Sequence, residues 1–307
     1  MSKLHGEFDL NRWVKLFPIA TMREEAHQFV SKRRAENPRH YRKETDFADH
    51  LRLMNPEGDH ITSPISIAQV EQLRAEALHQ AADNTVPTDV FIFAQGEPEK
   101  REVTKVGGLP YWPANKLWPK DKTGEPMPCI AQFNFSDSRD LVGRTPGDLL
   151  LIFLHGELGD DDPLHFEWLT IEQVPLVQPA DVPKCNHWEI LPCYGTIHRT
   201  VDYKVDHELL EEKYNQPWNI TVIGGTKIGG IPSHIQDVSD EIGGRFLCSL
   251  GSVEPTSDKP RPFVNAEKPI DPFTRDRSKD YWMWGDAGSI FIYIDENGNV
   301  IQSAECY

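Results

Sequence analysis

A six-residue string occurs twice in this chain, as Lys105-Val-Gly-Gly-Leu-Pro110 and as Lys227-Ile-Gly-Gly-Ile-Pro232, and it constrains the fold more than any other feature. Paired glycines followed by proline interrupt both helix and strand, so each copy marks a bend. Two further landmarks follow each copy in the same order. After the first come Pro128-Cys-Ile-Ala-Gln-Phe-Asn-Phe135 and Gly147-Asp-Leu-Leu-Leu-Ile-Phe-Leu154; after the second come Arg245-Phe-Leu-Cys-Ser-Leu250 and Gly285-Asp-Ala-Gly-Ser-Ile-Phe-Ile292. Three landmarks in register argue for an internal duplication, with repeats at about 90–175 and 215–305.

Around these landmarks the chain is rich in short apolar runs separated by Pro and Gly. Val90–Phe93, Leu149–Leu154, His165–Ile171, Trp188–Cys193, Thr196–Tyr203, Trp218–Ile223, Phe246–Leu250, Ser289–Ile294 and Val300–Ala304 read as strands. Asp295-Glu-Asn-Gly-Asn299 reads as the turn of a hairpin. Strands this close leave no room for repeated helical crossovers, so the sheet is expected to be largely antiparallel.

The first third reads differently. Leu10, Trp13, Val14 and Phe17 share a helical face, and Thr21-Met-Arg-Glu24 and Ser66-Ile-Ala-Gln69 are capping-box patterns that open apolar stripes. The expected fold is therefore α+β: an internally duplicated, largely antiparallel β-sheet core over 86–307, with an N-terminal helical region, 1–85, docked on it.

The 307 residues suffice for a substantial core. A net charge of -16 disfavours nucleic acid or an anionic membrane as a partner and favours a basic surface. The five cysteines are scattered in mostly apolar surroundings, which suits reduced thiols. With Glu7 and Asp9 near the start and no long apolar run, neither a secretory signal nor a membrane span is expected, and the protein is placed in the cytoplasm.

The strings Gly107-Gly-Leu-Pro-Tyr-Trp-Pro113, Trp118-Pro119, Ala131-Gln-Phe133, Gly229-Gly-Ile-Pro232 and Trp284-Gly-Asp-Ala-Gly288 resemble the YwqG-like family, a bacterial domain of uncharacterised biochemistry. The resemblance covers about 86–307. It implies a duplicated α+β fold built on antiparallel sheet and an association with toxin and immunity loci. The second copy departs from the pattern, with Ser233-His-Ile235 where the first has Tyr-Trp-Pro, and with Cys248-Ser249 in place of the glutamine pair.

Candidate chemistry is sparse. Gly224-Gly-Thr-Lys-Ile-Gly-Gly230 has the composition of a phosphate loop, yet Pro232 follows where a helix should open, so a bend between strands is the better reading. Cys185, His187, Cys193 and His198 are zinc-competent types at intervals that match no usual zinc spacing, and no metal or cofactor is expected. Glu157, Asp160, Asp161 and Asp162 form an acidic turn suited to a basic protein partner. Trp112, Gln132, Trp284 and Asp286 are candidates for a ligand cleft between the repeats. The leading expectation is a protein-binding module, an immunity protein that neutralises a bacterial toxin, such as a nuclease, by direct occlusion; the alternative is an enzyme or small-ligand binder using that cleft.

Overall fold

The computed structural model describes residues 27–28, 31–32, 35–36, 85–155, 164–185, 189–204, 222, 224–236, 242–252, 279–280, 282–285 and 288–306. Its elements run in the order β1 (Thr85–Gln95), β2 (Lys105–Val106), β3 (Cys129–Asn134), α1 (Arg139–Val142), β4 (Leu149–Leu154), β5 (Leu164–Leu169), β6 (Glu189–Ile190), β7 (Cys193–Tyr203), β8 (Lys227–Gly229), β9 (Arg245–Gly251), β10 (Lys279–Asp280), β11 (Ser289–Ile294) and β12 (Val300–Glu305).

The expected α+β class is overturned: the described fold is mostly β. Ten strands make one antiparallel sheet, β6 and β10 form a separate parallel pair, and α1 has four residues. The N-terminal helical region expected over 1–85 is not evident: the few residues described between 27 and 36 are helical, and nearly all the others lie outside the described residues. The capping-box patterns and apolar stripes that prompted that expectation report local preference, and a helical layer also needs tertiary packing on a core. The rest of 1–85 and the expected strand at Trp218–Ile223 lie almost wholly outside the described residues.

The sheet order is β12-β11-β9-β8-β1-β7-β2-β3-β4-β5, symmetric about its two central strands. β1 and β7 pair along eleven residues, from Thr85 opposite Tyr203 to Gln95 opposite Cys193. From there β8, β9, β11 and β12 meander outward on one side and β2 to β5 on the other. The two sides are interlocked. β1, from the first half, carries β8 of the second, with Val90 opposite Lys227; β7, from the second half, carries β2 of the first, with Tyr194 opposite Lys105.

β4 and β11 are continuous apolar runs because both of their faces are covered. Every residue of each is buried. Leu150, Ile152 and Leu154 join Ile290, Ile292 and Ile294 in one core shared by the two halves, together with Phe91, Phe133, Leu247 and Trp282. On the other face of β4, Leu149, Leu151 and Phe153 meet Tyr111, Trp112 and Val177 in a second cluster.

Candidate functional site

The repeated string proves to be a lysine clamp, built twice. Lys227, wholly buried, sets its ammonium 2.9 Å from Asp202 and donates to the Ile231 carbonyl at 2.5 Å, while the Ile231 amide donates to the same Asp202 oxygen at 2.8 Å. In the first copy Lys105 donates to the Leu109 carbonyl, Glu97 lies 3.9 Å from its ammonium, and the Leu109 amide donates to Glu97 at 2.8 Å. Each lysine folds back on the carbonyl four residues ahead, and a carboxylate takes the amide of that same residue. The turn requires glycine: Gly230 has φ +76° and a Cβ there would lie 2.2 Å from Asp202 Oδ2; Gly108 has φ +68° and the corresponding distance to Glu97 Oε1 is 2.2 Å. Burial lowers the Lys105 pKa to about 8, with the more distant Glu97 opposing. With Lys227 committed to Asp202, the Gly224–Gly230 string is a bend held by its own ion pair.

Trp112 is 1% exposed; its indole donates to the Lys116 carbonyl at 3.0 Å and packs edge-on against Phe153. Gln132, also buried, accepts from the Tyr111 amide at 2.7 Å and donates to the carbonyls of Arg101 and Val103, so it ties the loop after the first clamp to β3. Trp284 lies in the shared core beside Trp282. The structure thus brings Trp112 and Gln132 to one place through Tyr111, and puts Trp284 in the other cluster. Asp286, Glu157, Asp160, Asp161 and Asp162 lie outside the described residues. Cys193 and His198 are five residues apart on β7 and so face opposite ways, Cys185 lies in the preceding loop, and His187 is outside the described residues. Burial pushes the Cys129 and Cys193 thiols up to about 12, which leaves them protonated and unreactive at neutral pH.

Sequence reasoning missed a polar cluster in the second half. His234 Nδ1 is 2.6 Å from Glu305 Oε1, and Nε2 is 3.0 Å from the Tyr293 hydroxyl. The other Glu305 oxygen accepts from the amides of Ile235 and Gln236, at 2.6 and 3.0 Å. Burial would raise the Glu305 pKa, but His234 and the two amides outweigh it and hold the carboxyl below its ordinary value of 4.5. Burial, with Glu305 adding to it, pushes the Tyr293 phenol up, so this hydroxyl is a hydrogen-bond donor and not a nucleophile.

The first half supplies a control for this cluster. Aligning the clamps puts Trp112 where His234 stands, and aligning β4 with β11 and β5 with β12 by their pairing, Leu149 with Leu169 and Ser289 with Glu305, puts Phe153 at Tyr293 and Leu169 at Glu305. Trp112, Phe153 and Leu169 are members of one apolar cluster. The architecture is therefore satisfied by three apolar side chains where the second half has a hydrogen-bonded acid, imidazole and phenol. Replacing a buried polar network with apolar residues of similar shape is often neutral or stabilising. The triple variant His234→Trp, Tyr293→Phe, Glu305→Leu is expected to fold with a neutral-pH stability within about 2 kcal/mol of the parent. A carboxyl whose pKa is depressed by folding stabilises the native state above its unfolded pKa and stops doing so as pH falls through the folded one. Denaturant titrations should accordingly show a smaller loss on acidification below pH 4.5 in the triple variant than in the parent.

A cleft of about 1010 Å³ opens between the halves, lined by Arg144, Thr145 and Pro146 after α1, Gly244 and Arg245 at the start of β9, and the turn from β11 to β12. Its first wall is held from two sides. Arg199 on β7 bridges buried Asp89 and Asp140 of α1, and Ser138 donates to Asp89 at 2.6 Å. From the other half, Arg245 donates to the carbonyls of Val142 and Arg144. The opposite wall is a rigid turn: Asp295 accepts from the amides of Asn297 and Asn299 and from the Asn299 side chain, which holds its carboxyl below the ordinary range. No signal in the sequence marks this cleft, because its lining comes from three segments far apart in the chain.

Among the described residues no group of three or more His, Cys, Asp or Glu side chains is placed to hold a metal, and no helix is long and apolar enough to cross a membrane. No curated protein matches the chain. A family model does: that of DUF1963, a domain of unknown function, matches residues 104–298, a span that takes in both clamp lysines, His234 and Tyr293, and the chain belongs to that family.

Proposed function

We propose that this protein is a binding protein that takes a small ligand in the cleft between its two halves. The observation that carries this reading is Arg245: it comes from the second half, is fixed on two carbonyls of the first, and stands in the wall of a cleft large enough for a small molecule. A site assembled across interlocked halves is preorganised, which lowers the ordering cost of binding. Asn297 is exposed at the rim, so Asn297→Trp narrows the cleft without disturbing the core. Compounds that raise the melting temperature of the parent in a small-molecule screen should lose that effect in Asn297→Trp. Equal stabilisation of both proteins would place binding elsewhere and defeat the reading.

A second reading is favoured by the net charge of -16 and by the resemblance to the YwqG-like group: a cytoplasmic partner of a basic protein, such as a toxin that it occludes. The five cysteines, all free, suit a reducing compartment. Under this reading Glu157→Gln with Asp160→Asn, Asp161→Asn and Asp162→Asn slows association with a basic partner at low salt. An association rate unchanged by both the substitutions and salt would count against it.

A further inference from the structure

The charges in the cleft specify more than its existence. Two other arginines on the side of the first wall are met by carboxylates. Arg139 pairs with Asp148, and Arg199 with Asp89 and Asp140. Among the described residues, Arg144 and Arg245 have no carboxylate within ion-pairing distance, although both line the cleft and Arg245 donates to the Arg144 carbonyl. Two arginines in one lining with no carboxylate in ion-pairing distance leave positive charge for an incoming anion to meet. Of the two acidic residues in the lining, Asp295 has its carboxylate spent on the turn. Arg245 is fixed in the wall by hydrogen bonds from its two terminal nitrogens to two carbonyls, which leaves its charge and its remaining N–H groups to meet a carboxylate or phosphate.

The same lining carries Glu296, exposed on the turn. A ligand anionic throughout would be repelled there, whereas one with a cationic end would not. We propose that Arg144 and Arg245 form an anion subsite, and that the ligand of the cleft is a zwitterion whose anionic end meets the two arginines while its ammonium faces Glu296. This rests on the reading of the cleft as a binding site.

The experiment uses the full chain with glycine, acetate and inorganic phosphate as probes, observed through the side-chain Nε–H resonances of Arg144 and Arg245. Glycine should shift both resonances and bind more tightly than acetate. Arg144→Gln should weaken glycine at least about tenfold, as expected for loss of a charge-assisted hydrogen bond. Glu296→Gln should remove the preference for glycine over acetate. Phosphate binding as tightly as glycine and indifferent to Glu296→Gln would overturn the zwitterion assignment. Arginine resonances unmoved by all three probes would overturn the anion subsite. If larger compounds from the screen were sensitive to Asn297→Trp yet indifferent to Arg144→Gln, this inference would fail while the cleft reading stood; if no compound were sensitive to Asn297→Trp, the cleft reading itself would fail.

Discussion

Asp202→Asn is expected to destabilise the protein by about 3–5 kcal/mol, and Glu97→Gln, its counterpart in the other half, by less than about 1 kcal/mol. The two substitutions remove equivalent charges from equivalent clamps, and the environments decide the difference. Asp202 and Lys227 are wholly buried at 2.9 Å, so the variant leaves a buried ammonium without the carboxylate that pairs with it in the parent. Glu97 is 45% exposed and stands 3.9 Å from Lys105, so solvent already shares its charge. Denaturant melts at neutral pH measure both losses. Equal losses for the two variants would show that burial does not separate the clamps.

Trp112→Ala is expected to cost about 3–5 kcal/mol, the usual range for truncating a buried aromatic residue. Trp112 touches Trp118 and Phe153 at ring separations of 5.5 Å each, carries Lys116 over its face at 5.2 Å, and satisfies its own indole N–H on the Lys116 carbonyl. All of these contacts are internal. Ligand affinity measured on the folded fraction should be unchanged in Trp112→Ala, since the cleft lies among other residues. A stability loss below about 1 kcal/mol would contradict the packing described for this side chain.

Those two residues show what the sequence disclosed and what it concealed. The repeated string, the apolar runs of β4 and β11 and the turn at Asp295–Asn299 are local signals, and each lies where the sequence places it. β2 and β8 are two and three residues long, too short for any periodicity, and they were legible only as bends. The clamps needed Glu97 and Asp202, whose roles depend on strand pairing and not on spacing. His234 was visible as a departure of the second copy from the first, but Tyr293 and Glu305 join it from 59 and 71 residues away. The cleft is further still from legibility, because its two arginines are 101 positions apart and meet through a side chain on a carbonyl. The α+β expectation failed for the opposite reason: local helical signals before residue 85 were given the weight of a layer, whereas the described fold is mostly β.

The central claim is that the halves are interlocked through β1 and β7 and behave as one body, with the cleft as their joint product. Native-state hydrogen exchange on Asp202→Asn tests it most directly, because the lesion breaks the clamp of the second half where β7 pairs with β1. The interlocked sheet predicts that amides of β3 and β4 lose protection by the same free energy as those of β9 and β11. Loss confined to β9 and β11, with β3 and β4 protected as in the parent, would show two halves that open independently, and would contradict both the interlock and the cleft built on it.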